Sequence, residues 1–231
     1  MKLLILRPQP GADATAALAQ RMGISAVVSP LFAIQPLPWS VPDTAEYDAL
    51  IFSSANAPRH GGGGLSALHS LPAYAAGSAT AKAARAAGFG VIWTGTKGAD
   101  AVIEQAKMDR NLRLLWLTGN HHHDIVLPSN MSVEPMPVYE SARLSAPQTL
   151  IENLSYPQIT ALHSVRAAQY FRSICDDYGI DKSNIALVSF SREISDSAGA
   201  GWAARLVADT PNDNALLLKA KSYFTNMHCG P

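Results

Sequence analysis

Between Leu3 and Ala208 the chain alternates short, almost uninterrupted apolar runs with alanine-rich segments, and this alternation limits the fold more than any other feature. Strands are predicted over Leu3–Leu6, Ile24–Val28, Ala49–Ser53, Tyr74–Ala76, Val91–Thr94, Leu112–Leu117, Val133–Tyr139, Ile159–His163, Ile185–Ser189 and Arg205–Ala208. Helices are predicted over Asp13–Met22, Ala79–Ala87 and Ala167–Tyr178. The first two stop at Gly23 and Gly88, a residue type that takes the left-handed conformation past a helix end without a Cβ clash. A strand that is apolar at every position needs cover on both faces, and parallel sheets flanked by helices supply it. The class is α/β. A chain of 231 residues can bury roughly three quarters of its extended surface, so no covalent staple is needed.

An internal repeat organises these elements at an offset of about 110 residues. "LLILRP" followed by "GISAVVSPLFAIQP" is matched by "LLWLTG" followed by "MSVEPMPVYES". "ALIFSSANA" is matched by "ITALHSVRAA", which sets Ser54 beside Ser164. "AYAAGSATAKAARAAGF" corresponds to "IALVSFSREISDSAGAGW", and "TGTKGADAVIEQA" to "ADTPNDNALLLKA". Four matched blocks in one order point to duplication. Two similar α/β lobes follow, with ligand-facing loops at the strand carboxyl ends of each and a cleft between them.

Charge narrows the partners. Eighteen basic residues balance eighteen acidic ones, so the excess that phosphate neutralisation requires is missing, and nucleic acid and acidic membrane surfaces are not expected partners. No leader-type segment and no apolar run of membrane-spanning length is read, so a cytoplasmic location is expected. Cys175 and Cys229 form no CxxC pair and allow one bridge at most, which fits a reducing compartment.

Several loops carry polar chemistry. Ser53-Ser54-Ala55-Asn56 follows a strand and opens a short helix, and His163-Ser164-Val165-Arg166 repeats the arrangement. A hydroxyl with backbone N–H groups at such a turn either receives an anion or simply caps the helix. Gly77-Ser78-Ala79-Thr80 also joins a strand to a helix but lacks GxGxxG and an acidic ribose partner, so a dinucleotide site is not supported. Gly61–Gly64 has no following Lys-Ser/Thr and reads as a mobile surface loop. His121-His122-His123-Asp124 has ligand types for a metal, yet adjacent side chains diverge and no second cluster complements them, so no metal site is expected. Arg7, just past the first strand, is either a solvated terminus or a carboxylate clamp. Cys175 reads as a packed thiol, and no GxSxG elbow supports a serine nucleophile.

Taken in order, "LRP" with "P-L-F-x-I", "DALIFSSANA", "AYAAGSATAKAARAAGF", "LTGN…VYES" and "LHSVRAA" resemble the uroporphyrinogen-III synthase family over nearly the whole chain. The resemblance implies two similar parallel-sheet α/β lobes joined by a two-stranded linker, with the active-site cleft between them. Domain 1 would comprise residues 1–35 and 142–231, and domain 2 residues 40–138. The implied reaction cyclises hydroxymethylbilane to uroporphyrinogen III, inverting ring D and losing water, with no cofactor and no metal. Such a task needs one substrate geometry held among distributed donors rather than a strong nucleophile.

Carried over to this chain, the family's cleft tyrosine matches Tyr139, a phenol able to assist hydroxyl departure as a weak acid. Its "G-x-x-T-A" threonine matches Thr80, and its "S-x-x-A" loop matches both Ser54–Ala57 and Ser164–Ala167. The expected substrate-binding set is therefore Arg7, Ser53, Ser54, Ala55, Asn56, Gly77, Ser78, Thr80, Ser164, Val165, Arg166, Ser189 and Arg192. The chain departs from the family at Ser189-Phe190-Ser191-Arg192, where a threonine-type turn is altered, and at His121–Asp124, where relatives carry basic residues. A monomer acting on a small molecule is expected. The opposing class is a non-catalytic two-lobed small-molecule-binding protein. A nucleotide-dependent enzyme is disfavoured by the missing phosphate motifs.

Overall fold

The computed structural model describes residues 2–95, 99–110, 112–121, 127–156 and 158–228. In chain order the strands are β1 (Lys2–Ile5), β2 (Ala26–Val28), β3 (Phe32–Pro36), β4 (Ala49–Phe52), β5 (Ala73–Ala75), β6 (Val91–Thr94), β7 (Arg113–Gly119), β8 (Ser132–Arg143), β9 (Gln158–Leu162), β10 (Ile185–Ser189) and β11 (Ala204–Val207). The helices are α1 (Gly11–Arg21), α2 (Asn56–His60), α3 (Ser78–Ala86), α4 (Ala99–Met108), α5 (Gln148–Leu154), α6 (Val165–Asp177), α7 (Arg192–Ser197) and α8 (Asp213–His228). The chain divides into two units, Met1–Ala33 with Arg143–Pro231, and Ile34–Ala142.

Unit 1 holds a five-stranded sheet in the order β11-β10-β9-β1-β2. Every pair in it is parallel, with Leu3 opposite Ile159 and Ala186 opposite both Ile159 and Ala204. The period-2 alternation of strand side chains sorts the first apolar run cleanly. Leu3 and Ile5 enter one buried cluster with Ile159, Val188, Leu216 and Leu217. Leu4 and Leu6 enter the opposite one with Leu162, Phe171 and Leu187. Each fully buried leucine contributes on the order of 2 kcal/mol. A polar residue anywhere in "LLIL" would therefore face a dry core on one side or the other.

Unit 2 repeats the logic with the order β3-β8-β7-β4-β5-β6. β4 is parallel to β5 and β7, and β7 to β8. Leu50 and Phe52 face a cluster with Leu68, Phe89 and Leu117, while Ala49 and Ile51 face Tyr74, Val102, Ile103 and Trp116. The register of β7 on β8 slips between Thr118 and Gly119, so that Gly119 lies opposite Tyr139. Pro137, opposite Thr118, has no N–H to give the ladder at that point.

The apolar runs predicted an α/β protein with mostly parallel sheets, and that is the fold. Each predicted strand forms within a few residues of its expected bounds. Strand β3 and helices α4, α5, α7 and α8 had no counterpart among the predicted elements. In α8 the run Ala215-Leu216-Leu217-Leu218 hides the helical period, since Leu216 and Leu217 are buried while Leu218 is 53% exposed. Gly61–Gly64 departs from the surface-loop reading: Gly61 is buried and accepts the Trp39 indole N–H at 2.7 Å. The chain then enters a 3-10 helix, Gly63–Leu68, whose Leu65 and Leu68 are core residues.

Candidate functional site

In a parallel sheet all carboxyl ends lie along one edge, so the loops that leave them are neighbours. In unit 2 this edge carries three of the expected segments. Phe52 at the end of β4 is opposite Ala75 of β5 and Leu117 of β7. Ser53-Ser54-Ala55, Gly77 and the Gly119 region therefore issue side by side. The Ser53 hydroxyl accepts the Trp116 indole N–H at 2.9 Å, and the Ser54 hydroxyl accepts the Asn56 backbone N–H at 3.2 Å. Gly77 caps α3 in extended backbone, with Ser78 exposed in the first turn and Thr80 buried.

Tyr139 stands at the same edge because of the slip in β8. A bulge re-aims side chains, and here it sets the Tyr139 ring over Gly119. A Cβ at Gly119 would meet the Tyr139 Cε2 and Cζ atoms at 2.9 Å and its hydroxyl oxygen at 3.2 Å. Glycine is thus the only residue that lets the ring lie there. The half-buried tyrosine also fixes the adjacent loop, since its carbonyl accepts the Asn120 N–H at 3.1 Å.

The unit 1 edge is built differently. Arg7 follows β1, His163 follows β9, and the Ser189–Arg192 turn follows β10. The Arg7 guanidinium reaches both carboxylate oxygens of Asp213, at 3.1 and 3.2 Å, and Asp213 also accepts from His163 Nε2 at 3.2 Å. Of the two readings of Arg7, the clamp holds, but the carboxylate it clamps belongs to the first turn of α8. Burial and the nearby Arg7 lower the His163 pKa, opposed by Asp213. Burial works to raise the Asp213 carboxyl; His163 and Arg7 together overcome it and hold the group below the usual carboxylate range.

Ser164 caps the thirteen-residue α6, its hydroxyl accepting the Ala167 N–H at 3.2 Å, and Val165 and Arg166 form the first turn. Ser189 does not face outward: it is fully buried and its hydroxyl lies 3.1 Å from the Ser191 carbonyl and 3.2 Å from that of Leu206. It braces the turn. Arg192 is exposed at the start of α7. The expected residues thus fall into two groups, Ser53–Asn56, Gly77–Thr80 and Tyr139 on unit 2, and Arg7, Ser164–Arg166 and Ser189–Arg192 on unit 1. Gly119, His163 and Asp213 lie inside the segments "LTGN", "LHSVRAA" and "ADTPNDNALLLKA" but were not among the expected site residues. Among the described residues no three His, Cys, Asp or Glu side chains gather as metal ligands. His122, His123 and Asp124 lie outside the described residues, as does Cys229.

Two units, each a mostly parallel sheet flanked by helices and bearing polar strand-end loops, define the class of fold. The family model described as HEM4, uroporphyrinogen-III synthase HemD, matches residues 13–217. The chain belongs to the uroporphyrinogen-III synthase family. Its members are cyclising lyases of haem biosynthesis, and the activity is the conversion of hydroxymethylbilane to uroporphyrinogen III with inversion of ring D and loss of water.

Among solved structures, the fold is similar to uroporphyrinogen-III synthetase from Helicobacter pylori 26695, at TM-score 0.66 and 19% identity, covering 96% of this chain and 99% of that one. It is also similar to a mutant uroporphyrinogen III synthase from the extremely thermophilic bacterium Thermus thermophilus, at TM-score 0.53 and 15% identity, covering 98% and 100%. At these identities the likeness is one of fold. No curated protein matches the chain. Family membership favours the enzyme over the non-catalytic binding protein.

Proposed function

We propose that Tyr139 is the acid of the dehydration, and that the donors on the unit 2 edge hold the reacting end of the bilane. The observation that carries this reading is the Tyr139 ring laid on Gly119 beside the Ser53–Asn56 loop. The Tyr139 O–H gives its proton to the departing hydroxyl, which leaves as water while the pyrrole nitrogen supplies electrons to the methylene carbon. Ring D attacks that carbon through its substituted position to form a spiro intermediate. Reopening and closure in the other sense invert the ring, and the proton lost on rearomatisation returns to the phenolate. Ser54, Asn56 and the first-turn N–H groups of α3 suit carboxylate side chains, because helix N-termini and hydroxyls favour anions. Orientation supplies most of the selectivity, since a fixed geometry replaces a bimolecular search.

The protein is proposed to act as a cytoplasmic monomer on dissolved substrate. A reducing compartment is in keeping with Cys175, which is buried and free. No helix among the described residues is long and apolar enough to cross a membrane.

The test couples the purified protein to a hydroxymethylbilane source and separates the isomers by chromatography. Type III product is expected without added metal, and Tyr139→Phe is expected to slow its formation while leaving the circular dichroism spectrum unchanged. Full activity in Tyr139→Phe would remove the acid role. An isomer ratio equal to that of the unaided reaction would remove the synthase reading.

A further inference from the structure

One imidazole joins the turns at the carboxyl edge of unit 1. His163, directly after β9, has a side chain only 6% exposed. Its Nε2–H donates to Asp213 Oδ1 at 3.2 Å, and the same oxygen accepts the Arg7 guanidinium at 3.1 Å. The ring also meets Phe190 edge to face, with centroids 4.6 Å apart and planes at 81°. Arg7 follows β1, Phe190 follows β10, and Asp213 opens α8 after β11. Directly or through Asp213, this one side chain therefore touches all four turns that lead from the unit 1 sheet into helices.

Local stability does not account for this arrangement. Asp213 is not needed as a cap, because Asn212 Oδ1 already accepts the Ala215 N–H at 2.9 Å. The His163 Nδ1 is buried and makes no hydrogen bond among the described residues, although the Ala161 carbonyl acts on the ring from its own strand. A buried ring nitrogen left unmet costs stability that an apolar side chain of similar shape would not. What the imidazole supplies is position. Held by the Asp213 carboxylate and the Phe190 ring, it fixes the backbone that leads into the next residue. That residue is Ser164, the cap of α6, and Val165 opens the first turn. We propose that His163 is a positioning residue for substrate binding, which holds the Ser164–Val165 loop where a carboxylate side chain of the bilane docks. The proposal rests on the reading of hydroxymethylbilane as substrate and of that loop as part of its contact surface.

The test sets binding against stability. His163→Phe keeps a ring against Phe190 and removes the unmet Nδ1, but gives Asp213 no donor. Its melting temperature should stay at the wild-type value. KM for hydroxymethylbilane should nevertheless rise about tenfold with kcat unchanged, and a fluorescence titration with uroporphyrin III, a stable polycarboxylate, should weaken equally, as fits loss of one charge-assisted hydrogen bond. Hydrogen exchange over residues 163–168 should quicken. His163→Gln restores an N–H for Asp213 and should recover part of the affinity. The control is Gln158→Ala: Gln158 is buried at the amino end of the same strand and donates to the Asn153 carbonyl at 3.1 Å. This variant should lower the melting temperature and leave KM and the titration as in the wild type. The positioning role is overturned if His163→Phe binds both ligands like the wild type, if Gln158→Ala raises KM equally, or if His163→Gln recovers nothing. Absence of type III product with the wild type overturns the synthase reading instead, while the titration and the exchange still decide His163.

Discussion

Arg7 in unit 1 and Tyr139 in unit 2 are each laid against a glycine at the carboxyl edge of a parallel sheet, and the two units use that device to opposite ends. A Cβ at Gly11 would meet the Arg7 Nε at 2.6 Å, as one at Gly119 would meet the Tyr139 ring. The cleared space lets Arg7 turn back onto Asp213, where its charge is spent inside the unit. In unit 2 the same clearance leaves a half-buried phenol beside loops that keep their hydroxyls and N–H groups near the edge. The two strand-end edges thus differ in chemistry: in unit 1 an internal ion pair engages Arg7, and in unit 2 the proposed ligand donors keep their hydroxyls near the edge.

The largest effect should come from breaking the lock. Asp213→Ala removes the shared partner of Arg7 and His163, whose side chains are 30% and 6% exposed. A fully buried pair broken from one side costs several kcal/mol, and partial exposure brings this to about 2 kcal/mol. Hydrogen exchange should quicken in β1 and β9 and stay unchanged in β4 and β7; equal loss in both sheets would show that the cluster is not local to unit 1. Acid should loosen the same contact. Burial lowers the His163 pKa and its partners lower that of Asp213, so both groups bind protons more readily once unfolded. Unit 1 stability is therefore fully present above the ordinary histidine value of 6.5 and is lost as pH falls through the carboxylate range.

Next in size is Gly119→Val. The branched side chain cannot share space with the Tyr139 ring, so the phenol must swing away. Turnover should fall about tenfold or more, equivalent to about 1.4 kcal/mol of barrier, with exchange in the unit 1 strands unaltered. Wild-type turnover in this variant would mean that the placement of Tyr139 on Gly119 has no bearing on catalysis, and the contrast between the two edges would collapse.

How much of this could be read from the residues depends on range. Strands such as "LLIL" and "ALIF" declare themselves because every position is apolar and both faces end in core. The strand-end loops declare themselves too, because Ser54 and Ser164 recur in matched blocks. What stayed hidden is long-range. Asp213 lies about 200 positions from Arg7, and its carboxylate looks like any helix-opening acid until α8 is folded onto α1. Gly119 reads as a strand end, and only the register slip on β8 shows that its missing side chain makes room for Tyr139. Ser189 misled for the same reason: the turn motif shows a hydroxyl but not that its neighbours are the carbonyls of Ser191 and Leu206.

The smallest effect gives the sharpest contrast, because it compares the matched serines directly. Ser164 is a true helix cap: its backbone is extended, its hydroxyl takes the Ala167 N–H, and thirteen helical residues follow. Ser54 closes only a local turn on Asn56, ahead of a five-residue helix capped by Ala55 without a side-chain bond. Ser164→Ala should therefore cost about 1 kcal/mol of stability, the usual loss for such a cap. Ser54→Ala should cost no more than a few tenths, because the half-buried turn keeps its backbone and leaves no buried donor stranded. If Ser54 is a ligand donor, its alanine variant should show the larger rise in KM despite the smaller change in melting temperature. Opposite rankings in the two measurements would confirm that unit 2 keeps this hydroxyl for substrate and unit 1 spends its counterpart on structure. The same ranking in both would make Ser54 a second cap, and the two loops would then differ in sequence alone.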